Sequence, residues 1–206
     1  MILQVIALIM DGLSTNLAMC RSLGCSFTLP SDIQSYFISP TNGQKIHVIL
    51  DACHMIKLIR NMFFAYKILF YNNNPIKWDY LVKLVNYQQK IDMKIANKLT
   101  INHIKFQNRK MKVKYATQLF SSSVAKSLEL LKDFEEFSVV AETINFIFII
   151  NDLFDILNSR TLCSYGWKQA ITANNLNKTI DKLFCIKAYL LSLKDINGVN
   201  LYKTKR

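Results

Sequence analysis

The chain has 206 residues, 51% of them hydrophobic and 19% charged, with only five Gly and three Pro; it is long enough for a packed core and too apolar for a disordered linker. Its 26 Lys and Arg against 14 Asp and Glu leave a net charge of +12, which favours polyanionic partners such as nucleic acid or nucleotide. An anionic membrane surface would match that charge, but the longest apolar runs, such as residues 144–150 with Asn145 inside, are too short to span a bilayer.

Residues 1–10 are apolar but lack a basic leader and meet Asp11 before any small-residue cleavage site, so a strand is expected there and not a signal peptide. The Val, Ile and Leu content of residues 4–10 resembles a buried central strand that delivers Asp11 at its C-terminal end. Ser14 or Thr15 can cap a short helix to Leu23, closed by Gly24. Pro30, Pro40 and Asn42-Gly43 mark a loop before a second strand, residues 45–50, which ends at Asp51. These two strands are the whole β signal. Apolar residues then recur at helical spacing over 53–71, and Asn72 to Pro75 breaks the pattern. Beyond that break, amphipathic helices are expected over residues 78–91, 113–131, 139–157 and 171–193. The fold class is therefore mainly α, with a strand-bearing front over residues 1–71 and an all-helical body over residues 72–206.

Five Cys with no CxxC pair, and three scattered His, point to reduced intracellular thiols and away from a zinc finger. Asp11 at a strand end, before Gly12 and a Ser14-Thr15-Asn16 turn, either presents a carboxylate to a metal or caps the turn, the commoner role for such an Asp. Asp51 carries the same two readings, and His54 beyond it reads as part of a polar cluster at a helix start. Arg109, Lys110, Lys112 and Lys114, with Lys98 before them and Ser121, Ser122 and Ser123 after, supply cations and hydroxyls suited to phosphate; a solvated helix face accounts for the same pattern. The sequence contains neither GxxxxGK[ST] nor GxGxxG, so a nucleotide would be held without a phosphate loop. Asp155 and Asn158 are three residues apart on one side of a helix end. A carboxylate can take the N1–H and exocyclic amine of guanine while an amide meets its O6 or N7, although Asp and Asn at such positions are usually caps or solvent-facing.

In order and spacing, residues 6–16 (IALIMDGLSTN), 51–61 (DACHMIKLIRN), 96–104 (ANKLTINHI), 110–116 (KMKVKYA) and 153–160 (LFDILNSR) resemble the P element DNA transposases and their domesticated THAP-domain relatives. The resemblance implies the end of an RNase H-like catalytic core running into a helical GTP-binding insertion domain, in a nuclear protein. It implies that Asp11 is the second acid of a DDE triad binding Mg²⁺, and that Asp51 is structural. It further implies that Asp155 and Asn158 read guanine, and that Lys98, Lys112, Val113 and a Ser among 121 to 123, Ser121 or Ser122 first, contact the nucleotide. The partners it implies are transposon-end DNA and GTP, with self-association in the intact parent, which cuts and joins DNA while GTP positions it. The first Asp and the Glu of the triad have no counterpart here, so the expectation is a catalytically incomplete fragment. The alternative is a non-catalytic helical protein that binds nucleic acid or a partner; a GTPase is disfavoured by the missing phosphate loop.

Overall fold

The computed structural model describes residues 4–27 and 33–203, which fall into two compact units divided between Met55 and Ile56. Pro30 lies outside the described residues. The fold is mainly α with two small sheets, and no described helix is long and apolar enough to cross a membrane.

In the first unit, β1 (Ala7–Met10) pairs in parallel with β3 (Lys45–Leu50), and β2 (Tyr36–Ile38) pairs antiparallel on the other side of β3. The third strand was not legible in the sequence, because three residues give too short a pattern to separate from loop. The sheet has β3 at its centre, and β1 has β3 as its one described neighbour. Leu8, Met10, Ile46 and Val48 face a small core with Cys20, Cys25 and Phe37, whereas Ile9 and Ile49 on the opposite face are exposed. The continuous apolar run is thus covered on one face within this unit. Helix α1 (Ser14–Ser22) is preceded by Leu13 at its N-cap position, so neither Ser14 nor Thr15 caps it. Gly24 closes it as expected, in left-handed geometry (φ 102), while the Cys25 N–H reaches back to the Cys20 carbonyl at 2.9 Å.

Helix α2 (Ala52–Tyr66) begins with Asp51, whose two carboxylate oxygens accept from the Cys53 and His54 N–H groups at 3.1 and 3.0 Å. The helical spacing to residue 71 overshoots. Lys67 adopts left-handed geometry (φ 64), and Ile68–Tyr71 forms β4, paired with β5 (Asn74–Lys77) across an Asn72-Asn73 turn with φ of 46 and 67. Two left-handed residues in a two-residue loop match the twist of a hairpin, and Asn tolerates that conformation better than most side chains. Ile68 to Tyr71 kept the apolar pattern going, but Ile68, Phe70 and Tyr71 are β-branched or aromatic types that fit a strand, and Phe70 also exchanges backbone hydrogen bonds with Lys194 at 2.9 Å each.

The remainder is helical: α3 (Asp79–Lys90), the short α4 (Ile101–Ile104), α5 (Val113–Leu119), α6 (Ser122–Leu130), α7 (Ala141–Leu157) and α8 (Leu176–Ser192). The single helix expected over 113–131 is two. Ser121 takes extended geometry between them and its carbonyl accepts from Val124 and Ala125, so the serine run starts a new helix. Helix α8 starts five residues later than expected, because the Asn175 side chain accepts from Thr172 N–H and donates to the Ala170 carbonyl, holding a turn there.

Aromatic rings dominate the core of the second unit. Phe63 meets Trp78 and Phe146 edge to face, with ring centroids 5.4 and 5.1 Å apart, and Phe64 meets Trp78 and Phe106 in the same way. Tyr189 of α8 donates to Glu142 of α7 at 2.8 Å, and Lys182 pairs with Asp152 at 2.7 Å. The hairpin offers a direct test of the local geometry. Asn73→Val should lower stability by about 1–2 kcal/mol, the penalty for a branched side chain in the left-handed region, while Asn73→Gly should leave it equal or slightly higher. Urea unfolding of both variants reads the difference.

Candidate functional site

Helix α7 is mostly apolar from Ile144 to Ile150, with Thr143, Phe146, Ile147 and Ile150 buried, and then gains polar groups: Asn151, Asp152 and Asp155 lie in its last two turns and Asn158 follows as its C-cap residue. Asp152 is taken by Lys182. Asn151, Asp155 and Asn158 instead line a cavity of about 400 Å³, within the range of small-ligand sites. Across it stand Thr117 of α5, Phe120, and Ser121 at the α5–α6 junction. The break between α5 and α6 thus brings Ser121 to the same cavity as the acid, with its hydroxyl donating to the Gln118 carbonyl at 2.8 Å.

The remaining wall comes from the 159–170 loop. Thr161 bridges back to Gln169, the Ala170 N–H donates to the Thr161 carbonyl at 3.0 Å, and the Gln169 side chain donates to the Leu162 carbonyl at 3.3 Å. That closure folds Arg160, Thr161, Ser164 and Lys168 onto the cavity, with Thr161 and Ser164 sharing a short hydroxyl contact. Arg160 also donates to the Asn158 side-chain oxygen at 3.4 Å.

Asn151, one turn before Asp155, donates to Asp155 Oδ2 at 3.1 Å, which orients the carboxylate and leaves Oδ1 without a described hydrogen bond. Burial pushes the Asp155 carboxyl above its ordinary range; the Lys168 ammonium and the Asn151 amide pull it down in part, and Asp152 adds to the rise. An anion kept in a half-buried cavity, flanked by cations and hydroxyls, suits a ligand with hydrogen-bond donors at one end and negative charge at the other.

The structure brings together three of the residues expected at the nucleotide, namely Ser121, Asp155 and Asn158. Lys98, Lys112, Val113 and Ser122 do not line the cavity: Lys98, Lys112 and Ser122 are exposed, and Val113 packs against the core as the first residue of α5. Thr117, Asn151, Arg160 and Lys168 were not foreseen. Asn151 was within reach of sequence reasoning, since it lies one turn before Asp155 on the same face. Lys168 was not, because its placement depends on the loop closure. In the first unit, Asp11 follows the C-terminal end of β1 and accepts from the Asn16 amide at 2.6 Å and from the Leu13 N–H at 3.4 Å. Asp51 lies beyond the neighbouring parallel strand with both oxygens on backbone amides. Among the described residues, no three His, Cys, Asp or Glu side chains converge to hold a metal. This donor set by itself does not fit a two-metal centre.

In fold and sequence the chain is transposase-like. Residues 53–170 match the family described as TNP-like, GTP-binding insertion domain, and the chain belongs to that family. It is similar to the human DNA transposase THAP9, 30% identical over 207 residues, covering 99% of this chain and 23% of that protein. It is likewise similar to the Transposable element P transposase of Drosophila melanogaster, 33% identical over 162 residues, covering 76% of this chain and 20% of that one. Among solved structures, the Drosophila P element transposase strand transfer complex matches with a TM-score of 0.80 at 30% identity, over 98% of this chain and 44% of the matched chain. The chain therefore spans less than a quarter of the length of these curated relatives.

The raised Asp155 carboxyl carries a stability consequence. A carboxyl whose folded pKa lies above its unfolded value, about 3.9, favours the folded state while protonated, and that contribution is lost as pH rises through the folded value. Asp155→Asn, which keeps the shape without the charge, should therefore raise the thermal midpoint at pH 7. The gain should shrink as pH falls through the raised folded value, where wild-type Asp155 takes up its proton; thermal melts across the acidic range read it.

Proposed function

We propose that this chain is part of a P element-like DNA transposase in which the helical second unit binds GTP and the strand-bearing front forms the end of an RNase H-like core. The observation that carries the reading is the convergence of Asp155, Asn158 and Ser121 in one cavity with Arg160 and Lys168. These groups fit a guanine nucleotide: an acid and an amide for the base edge, two cations for phosphate. Asp155 accepts from guanine N1–H and the exocyclic amine, Asn158 meets O6 or N7, and Phe154 and Phe120 supply apolar wall. Arg160 and Lys168 offset phosphate charge, while Thr117 and Ser121, whose hydroxyls donate to the Lys114 and Gln118 carbonyls at 3.1 and 2.8 Å, form the wall beside them. Lys98, Lys112, Val113 and Ser122 make outer contacts from beyond the cavity. With no phosphate loop in the sequence, the nucleotide serves to position DNA and is not hydrolysed.

Transposon-end DNA is the polyanionic partner, and the nucleus is where it is met. Asp11 is the one acid of the parent's catalytic set in this chain, so cleavage belongs to the longer parent and Mg²⁺-dependent nicking by this chain is not expected. A second reading, a non-catalytic helical protein that binds nucleic acid, is favoured by the +12 charge and shares every step except the parent's chemistry.

Adenine presents an unprotonated N1 to Asp155, leaving a partly buried acceptor without its donor. Such a loss costs about 1–3 kcal/mol, so GTP should bind well ahead of ATP. Asp155→Ala should remove most of that preference, whereas Lys168→Ala should weaken both nucleotides alike. Titration calorimetry decides it: equal affinity of folded wild type for GTP and ATP would defeat the guanine reading. Duplex DNA should bind with little sequence preference, and log affinity should fall linearly with log salt as phosphates displace counterions; fluorescence anisotropy at several salt concentrations measures the slope.

A further inference from the structure

Arg60 of α2 is fully buried, and no carboxylate among the described residues lies in ion-pair range of it. Burial lowers its pKa, yet a guanidinium starts so high that it stays charged. A buried cation without a counter-ion must find other acceptors. Here they are backbone: Nη2 donates to the Lys110 carbonyl at 2.6 Å and Nη1 to the Lys112 carbonyl at 3.4 Å. Nε and Nη2 both donate to the Asn61 side-chain oxygen, at 3.2 and 3.0 Å, and the guanidinium carbon sits 4.1 Å from the Phe106 ring centroid.

The segment so held is the most basic stretch of the chain. Arg109, Lys110, Lys112 and Lys114 are all exposed, and four cations within six residues repel one another. Turning two alternate carbonyls inward onto one guanidinium leaves those side chains facing solvent. The same clamp fixes where α5 begins, since Lys112 is its N-cap residue and α5 carries Thr117 to the cavity. His103 ties down the same helix independently: it accepts from the Thr100 N–H through Nδ1 at 3.1 Å and meets Gln118 through Nε2 at 3.0 Å.

We propose that Arg60 is a positioning residue: by gripping the Lys110 and Lys112 carbonyls, it holds the 109–114 segment as an outward-facing cationic surface for phosphate oxygens, of a nucleotide or of DNA. The inference rests on the nucleotide- and DNA-binding reading above, and goes beyond it in assigning the order of the basic segment to a residue that touches neither ligand. Lysine cannot replace the fork, because one ammonium does not span two carbonyls while stacking on a ring.

The test compares wild type, Arg60→Met, Arg60→Lys, Lys112→Ala and the double variant Arg60→Lys/Lys112→Ala, each first shown to be folded by circular dichroism. Amide exchange over residues 109–113 should speed up in both Arg60 variants. Two probes separate the sources of phosphate. Calorimetry with GTP and guanosine reads the phosphate contribution of the nucleotide, and the salt dependence of duplex DNA binding reads that of nucleic acid. Arg60→Lys should lower GTP affinity about tenfold with guanosine unchanged, or flatten the DNA salt slope by about one contact, or both; Lys112→Ala should add little in that background, as expected for two residues acting through one segment. The GTP-over-ATP preference, set by Asp155, should persist, so its absence in wild type would count against the guanine reading alone. Should Arg60→Met fail to fold, Arg60→Lys carries the comparison. Unchanged exchange, or an Arg60→Lys protein that matches wild type with both probes, would overturn the proposal, as would a wild type that binds neither GTP nor DNA.

Discussion

A helix that is apolar on nearly every side can exist in water only if it is wrapped, and α7 is that helix. Thr143, Phe146, Ile147 and Ile150 are buried against the aromatic cluster of Phe63 and Phe120, which fixes where the hairpin, α6 and α8 can lie. Its last two turns keep Ile156 buried but carry Asn151, Asp152 and Asp155, which cannot be packed away at the same depth. Asp152 is neutralised by Lys182 from α8, but Asn151, Asp155 and Asn158 meet neither core nor ion partner and open onto the cavity. The candidate site is therefore where one face of α7 turns polar.

Two charges below the surface show how differently burial is managed. Arg60 has an acceptor for each of its three nitrogens and a ring beneath it, and it organises backbone. Asp155 is under-supplied, with one amide and a nearby ammonium, and its carboxyl is correspondingly displaced upward. A group that is costly to ionise yet kept in a lined cavity is characteristic of sites that gain their partner from a ligand.

Membership of the GTP-binding insertion family agrees with this division. The family match covers residues 53–170, which include Arg60, the basic segment, the α5–α6 junction and the polar end of α7. It ends at Ala170, the residue whose N–H closes the loop that carries Lys168. Helix α8 lies beyond that match, but it contributes the Tyr189 and Lys182 ties that hold α7 in place.

The sequence by itself determined the mainly helical class, the strands that end at Asp11 and Asp51, and the pairing of Asp155 with Asn158. Each of these is a local property: apolar period, capping chemistry and separation along one helix face survive without tertiary context. Where the pattern was ambiguous it misled, since Ile68 to Tyr71 satisfy helix and strand spacing equally and only pairing with β5 and Lys194 selects the strand. The serine run suggested phosphate chemistry but not that Ser121 would break a helix to face an acid more than thirty residues away. Arg160 and Lys168, and not Lys98 and Lys112, reach the cavity because a loop closes through Thr161 and Gln169. Such convergence depends on contacts distant in sequence, which no local period encodes, and tertiary packing alone decided which cations face the acid.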